Sequence, residues 1–190
     1  ALVSWARRLC IRDRVSIANE TAVSTTSSGT SVAQATAAAS SSQNQSKYEA
    51  NVASVAGKMD NRVIAAYQQL GFKLVVDPSV NYSGYFDARS RSITMKQIDD
   101  SVYHELGHFL AFIAGNVDKT ASFQSIFAAE KANVTAFNKA YVTQNASEYF
   151  AESVKDYILN NASLKSTRPQ TYAAVQNALN QITDAQIAKI

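Results

Sequence analysis

The sequence predicts an α+β domain that is mostly helical and contains a small mixed β-sheet. Apolar residues recur at three- and four-residue steps over residues 48–70, which is helical spacing. Two short segments, 72–78 and 81–96, are rich in β-branched and aromatic residues. Helical spacing then returns from residue 101 onward. A helix, a small sheet and several further helices, in that order, are typical of an α+β domain.

The first helix is predicted over residues 48–70, with a bend at Gly57 and an end at Gly71. A short strand follows over 72–78 and ends at Pro78, because proline cannot donate to a strand ladder. Residues 81–96 predict two further strands joined by a turn, since apolar and polar residues alternate there.

Several helices are predicted after the sheet. The first spans 101–114 and ends before Gly115, and residues 119–142 form one or two more. The apolar residues of that second segment are expected to face inward: Phe123, Ile126, Phe127, Val134, Phe137 and Tyr141. Another helix is predicted over 147–159, and the last begins at Pro169, a favourable first helical position.

The domain is expected to span residues 47–190, preceded by a low-complexity or disordered segment over 1–46. Residues 21–46 carry no charge and are half Ser and Thr, so they offer little apolar surface to offset ordering entropy. Residues 1–14 hold four arginines against one aspartate, and we expect them to be an artefact or the end of a missing upstream region. The remaining charges balance, so no nucleic-acid partner is expected. No apolar run approaches the about 20 residues of a membrane span.

The segment SVYHELGHFL, residues 101–110, holds both histidines of the chain. His104 and His108 are four residues apart, so a helix places them on one face, one turn apart. Glu105 lies beside that face. This is the HExxH pattern, in which two neutral imidazoles bind Zn²⁺ and the carboxylate acts as general base on the metal-activated water. The alternative is a helix with two surface histidines, which the apolar face and the mid-helix Gly107 argue against.

A catalytic zinc ion needs a third protein ligand. The chain has no other histidine, and its one cysteine, Cys10, lies in the doubtful N-terminal segment. The ligand is therefore expected to be Asp or Glu. Glu148 and Glu152 lie one turn apart on a predicted helix, which resembles the gluzincin arrangement. The alternative is a solvated helix face.

The combination of HELGH with SEYFAESVKDY about forty residues later resembles the anthrax lethal factor family, which includes secreted bacterial Pro-Pro endopeptidases. The resemblance covers about residues 47–190. It implies an α+β, zincin-like metalloprotease domain with an HExxH active-site helix and one Zn²⁺ per chain. In that family pattern Glu148 is the third ligand, and Glu152 supports a zinc histidine without binding the metal. Tyr141, seven residues before Glu148, would stabilise the tetrahedral oxyanion; the alternative is a core aromatic.

Substrate binding is expected at an exposed strand edge near the zinc, as is usual in such proteases. The segment 81–96 is the candidate, with Tyr82, Gly84, Tyr85 and Phe86 as substrate-binding residues. Packing and strand propensity explain the aromatic residues equally well, and Gly84 could simply mark a bulge. No residue commits the enzyme to proline on either side of the cleaved bond.

The leading hypothesis is a zinc-dependent endopeptidase, toxin-like and monomeric, that hydrolyses peptides or proteins. The resemblance implies secretion from a bacterium and allows a Pro-Pro preference. The alternative is a non-catalytic domain of the same fold that binds a partner, although such a copy would be expected to lose part of the site. A peptide deformylase is a third class, but its cysteine ligand has no counterpart in residues 47–190.

Overall fold

The computed structural model of the protein describes residues 46–190. The predicted segment 1–46, with its doubtful residues 1–14, lies outside the described residues except for Ser46. The boundary between this segment and the domain therefore stays a prediction.

The prediction of one helix over 48–70 is wrong in its first half. Tyr48–Ala50 forms strand β1, the short helix α1 follows at Val52–Val55, and helix α2 spans Asn61–Gln69. Asn51 accepts a hydrogen bond from the backbone N–H of Ala53 and so caps α1. Asp60 caps α2 in the same way. Two N-caps within ten residues divide the apolar pattern into two helices.

The sheet has four strands in the order β1-β2-β4-β3. Strand β2 is Lys73–Val76, β3 is Gly84–Asp87 and β4 is Ser92–Met95. Strands β2 and β4 are parallel, whereas β1 pairs with β2 and β3 pairs with β4 in antiparallel fashion. The predicted strands are therefore present, and the sheet is mixed. Pairing with β2 explains why the residues of β1 leave the helical pattern.

Seven helices follow the sheet in the described part of the chain. They are α3 (Ser101–Ile113), α4 (Ala121–Glu130), α5 (Lys139–Val142), α6 (Ala146–Leu159), α7 (Asn161–Thr167), α8 (Pro169–Asn180) and α9 (Asp184–Ile187). The helices predicted over 101–114, over 147–159 and from Pro169 are confirmed. Helices α7 and α9 were not predicted, because each is too short to show a periodic pattern.

The segment 119–142 contains two helices, and one of its expected core residues is misplaced. A 3₁₀ turn at Lys131–Asn133 ends α4, and an irregular stretch leads to α5. Phe123 and Val134 are buried as expected, but Phe137 is fully exposed. Phe137 lies in the irregular stretch, where the helical period that put it on the inner face no longer applies.

Helices α3 and α6 lie side by side at the centre of the core. Buried apolar side chains line α3, among them Leu106, Phe109 and Ile113. The ring of Phe109 on α3 contacts Phe86 of β3 at 6.2 Å between centroids, and Tyr67 of α2 and Phe72 join the same aromatic cluster at 5.0 and 4.9 Å. Among the described residues, no helix has both the length and the apolar character to cross a membrane.

Candidate metal centre

Helix α3 presents both histidines on the side that faces α6. The centroids of the His104 and His108 rings are 5.0 Å apart, as expected for neighbours one helical turn apart. The side chain of His104 is 8% exposed and that of His108 is 18% exposed. The pair is therefore mostly buried, and it is more open to solvent on the His108 side.

Helix α6 brings two glutamates to the histidines from the opposite side. Glu148 stands in its first turn, where the side chain of Asn145 accepts a hydrogen bond from the Glu148 backbone N–H at 2.9 Å. This N-cap fixes the start of the helix and hence the position of Glu148. Glu152 follows one turn later on the same face. Both carboxylates are buried.

Three side-chain donors converge between the two helices. Oε2 of Glu148 lies 3.2 Å from Nε2 of His104 and 3.6 Å from Nε2 of His108. The ligand atoms of all three side chains lie within 4.8 Å of one another. A tetrahedral ion with ligands at about 2.1 Å separates neighbouring donors by about 3.4 Å. The three side chains therefore fit one tetrahedral ion, and two imidazoles with a carboxylate are a donor set that Zn²⁺ prefers.

Glu152 contacts the other nitrogen of His104. Its Oε2 lies 2.9 Å from Nδ1 of His104, which donates the hydrogen bond. Because this bond holds the Nδ1 proton, the Nε2 lone pair of the neutral ring is directed towards Glu148 and His108. Lys155 lies 3.5 Å from the second oxygen of Glu152. Glu152 thus orients a histidine without being among the three converging donors.

The close approach of α3 and α6 depends on Gly107. A Cβ at this position would lie 2.7 Å from the carbonyl oxygen and 2.8 Å from the Cα of Ala151, closer than real Cβ atoms come. The sequence indicated such an approach, because glycine inside a helix sacrifices helix propensity. Ala151 in turn lies between Glu148 and Glu152, so this contact sets the separation of the histidines from the glutamates.

The pKa values in this cluster reflect burial opposed by charge. Burial lowers the pKa of His104, but hydrogen bonds to Glu148 and Glu152 outweigh burial and raise it to about 9. Burial raises the pKa of Glu148, but hydrogen bonds from His104 and His108 hold it far below its ordinary value. The pKa of Glu152 is also lowered, since its bond to His104 outweighs burial. In the absence of metal, the protonated His104 ring therefore lies between two carboxylates, Glu152 at Nδ1 and Glu148 at Nε2.

The side chain of Glu105 lies against the sheet. Its carboxylate lies against Gly84 of β3, and both residues of this contact are candidates from the sequence. Burial raises the pKa of Glu105, while the nearby His104 and His108 oppose the rise. The side chain is buried, as expected for a group that must be partly desolvated.

Tyr141 lies at the edge of the same cluster. Its ring centroid is 6.4 Å from that of His104, and the residue is half-buried. It belongs to α5, which ends just before the N-cap of α6. The structure thus brings together His104, Glu105, His108, Tyr141, Glu148 and Glu152.

The remaining candidates lie on and before β3. The rings of Tyr82 and Tyr85 are tilted against each other with centroids 5.9 Å apart, and Tyr85 is exposed. The ring of Phe86 instead packs against the core rings of Phe72 and Phe109, at 5.9 and 6.2 Å. Only the backbone of Phe86 is close to the cluster, so its role as a pocket wall stays a prediction.

Some residues that shape the centre were not found from the sequence. Asn145 could have been found, because Asn before a helix is a common N-cap signal. Lys155 gave no signal, because a lysine on a helix is usually solvated.

Comparison with known proteins supports the resemblance drawn from the motifs. Residues 88–178 match the family model described as the anthrax toxin lethal factor, N- and C-terminal domain. A protein named Pro-Pro endopeptidase, from Clostridioides difficile (strain 630), is 41% identical over 78 residues. This part of the chain is similar to a lethal factor-like family. The alignment covers 39% of this chain and 34% of the length of the relative.

The lethal factor-like region contains the whole cluster of candidate residues between α3 and α6. It begins in the turn before β4 and extends into α8. Strand β3, with Gly84 and Phe86, lies just before it. The candidate metal centre is therefore inside the matched region, and the candidate substrate-binding residues at 82–86 are outside it.

Proposed function

We propose that this chain is a zinc-dependent endopeptidase. The observation that carries the proposal is the convergence of His104, His108 and Glu148 on one point, with donor spacings of 3.2 and 3.6 Å that suit a tetrahedral ion. The lethal factor-like family and the name of the relative support peptide bonds as the substrate. His104, His108 and Glu148 would hold Zn²⁺.

When bound, zinc supplies a Lewis acid that polarises a carbonyl group and acidifies water. Glu105 takes the proton of the attacking water and delivers it to the leaving amine. Its raised pKa suits this double role, since a general base works best with a pKa near the working pH. The Tyr141 hydroxyl donates a hydrogen bond to the oxyanion that develops on the substrate. Glu152 keeps His104 in the tautomer that leaves Nε2 free to bind the metal.

The substrate is proposed to be an extended peptide, with Tyr82, Gly84, Tyr85 and Phe86 along its path. A preference for Pro-Pro bonds is part of the proposal, on the strength of the name of the relative. Secretion from a bacterium and a monomeric state are proposed on the resemblance. A comparison of Pro-Pro, Pro-Ala and Ala-Ala peptides tests the preference, and light scattering tests the oligomeric state.

The central test compares the purified wild-type chain with Glu105→Gln. The wild type is expected to cleave members of a peptide library and to carry about one zinc ion per chain. Glu105→Gln is expected to keep the zinc but lose about 100- to 10,000-fold in kcat, because no group remains to take the proton. Glu49→Gln, an exposed carboxyl-to-amide change on β1, is the control and should leave the rate unchanged.

A second variant tests the metal site separately. Glu148→Ala is expected to lose most of the bound zinc, as measured by elemental analysis after dialysis. Cleavage by Glu105→Gln at the wild-type rate would overturn the role of Glu105. A wild-type chain that binds no zinc after supplementation would overturn the whole proposal. Zinc binding without cleavage of any peptide would favour the alternative, a partner-binding domain.

A further inference from the structure

Strand β3 turns one edge of its backbone towards Glu105. In the described part of the sheet, β3 is an outer strand that pairs with β4. The Lys96 N–H donates to the carbonyl of Ser83 across this pair. Antiparallel strands alternate the direction of their backbone groups, so residues 83, 85 and 87 bond to β4. Gly84 and Phe86 therefore present their N–H and C=O groups at the outer edge.

Gly84 leaves room for the Glu105 side chain. A Cβ built at this position would lie 2.6 Å from Oε1, 2.7 Å from Cγ and 2.9 Å from Cδ of Glu105. Real Cβ atoms essentially never approach so closely. Gly84 does not have a positive φ, unlike Gly71 and Gly115, so its backbone conformation is open to any residue. Space for Glu105 is thus the reason for glycine at this position.

Phe86 supplies a donor to the same carboxylate. Its backbone N–H forms a hydrogen bond to Glu105 that favours the ionised form. Phe86 lies two residues after Gly84 on the same edge of β3. The Phe86 N–H and the space at Gly84 therefore lie on either side of the Glu105 side chain. The ring of Phe86 is anchored in the core, which fixes the position of its amide. Glu105 is buried and has little freedom outside this location.

We propose that Gly84 is a positioning residue for Glu105, and that β3 holds the carboxylate between the Phe86 amide and the space above the Gly84 backbone. Any side chain at position 84 displaces the carboxylate from the place where it reaches the attacking water. The role of Glu105 as general base comes from the proposed function. The steric coupling of the two residues does not depend on that function and holds in the metal-free protein.

The experiment is a double-mutant cycle with Gly84→Ala, Glu105→Ala and the double variant, all in the full chain. Gly84→Ala is expected to lower Tm by about 4 °C in the wild-type background, as overpacking costs stability. In the Glu105→Ala background the same change should have almost no effect, because the space is then free. Gly57→Ala is the matched control, since its Cβ would lie 3.7 Å from the nearest atom, an ordinary contact.

Two further readouts separate positioning from a general structural effect. The amide resonance of Phe86 in metal-free protein should shift in Gly84→Ala and in Glu105→Ala, but not in Gly57→Ala. With metal, Gly84→Ala should keep its zinc yet lose about 100-fold in kcat, because a displacement of about 1 Å costs that much. The fall in kcat should exceed any rise in KM.

The failure of this inference can be told apart from the failure of the proposed function. The proposed function stands if the wild type cleaves peptides and Glu105→Gln does not. The inference is overturned if, in that case, Gly84→Ala matches the wild type in kcat and in the Phe86 resonance. Equal Tm losses from Gly84→Ala in both backgrounds also overturn it. If wild type cleaves nothing, the function falls, while the Tm cycle and the Phe86 resonance still decide the positioning of Glu105.

Discussion

The two polar faces of α6 are both buried, yet they are built differently. One face carries Glu148 and Glu152 towards the histidines, where three donors from two helices converge on one point. The other face carries Tyr149, Ser153 and Asp156 towards α8. There the polar groups bond to one another and to residues of α4 and α8. The difference separates an arrangement that can bind an ion from one that stabilises the fold.

The network on the second face begins at Arg168. Its guanidinium donates to Ser153 Oγ at 3.1 Å and pairs with Asp156. Nearby, Thr171 donates its hydroxyl to Glu130 at 2.7 Å, so the Tyr149 hydroxyl, also 2.7 Å away, donates to Thr171. Glu130 also accepts the backbone N–H of Thr171 and so caps the start of α8. The network ties α4, α6 and α8 together.

The largest effect on stability is expected from Arg168→Met, which breaks this network on one side of α6. Asp156 and Ser153 lose their partner, and a broken buried ion pair costs about 3 kcal/mol of unfolding free energy. The folded variant should still bind about one zinc ion, because the residues of the opposite face are unchanged. Urea unfolding and elemental analysis measure the two quantities. Loss of zinc from the folded variant would show that the two faces are not independent.

A smaller effect is expected from Glu152→Gln. It concerns metal affinity and is confined to the face of α6 that carries Glu148 and Glu152, called the metal face here. The amide holds the His104 ring less firmly, and loss of such a supporting carboxylate typically weakens metal affinity about 10- to 100-fold. Competition with a chelator measures the affinity. Asp156→Asn, a change of the α6 carboxylate that pairs with Arg168, is the control and should leave zinc affinity unchanged. An unchanged affinity in Glu152→Gln would contradict the role assigned to Glu152.

The last effect, and the smallest per unit of change, is expected from pH in the metal-free protein. The folded state raises the pKa of His104 from 6.5 to about 9, so it favours the protonated ring. This contribution to stability is fully present below pH 6.5 and is lost as the pH rises towards about 9. The slope is at most about 1.4 kcal/mol per pH unit, the value for one proton. Urea unfolding at pH 6.5 and 9 measures it.

Glu152→Gln provides the control for this pH dependence. With one of its two carboxylate partners replaced by an amide, His104 should have a lower pKa and the slope should shrink. Stability that rises with pH over the same interval would contradict the charge arrangement of the metal face. Arg168→Met, on the other face, should keep the wild-type slope.

The sequence was most informative where local spacing determines the structure. Helix α3 was predicted to within one residue, because its apolar face and its two histidines share the helical period. The N-terminal prediction failed because residues 48–50 pair with β2, a partner more than twenty residues away in the chain. Phe137 was misplaced because the chain leaves the helix before reaching it.

Sequence alone determined that His104 and His108 share one helix face and that Glu148 and Glu152 are one turn apart, since both follow from the helical repeat. Only the tertiary structure decided that the two pairs meet. Their separation depends on the absence of a side chain at Gly107, which lets α3 and α6 approach. The location of Glu105 depends on Gly84 and Phe86, which belong to a strand. Such contacts join distant parts of the chain, so the spacing of residues in the sequence cannot reveal them.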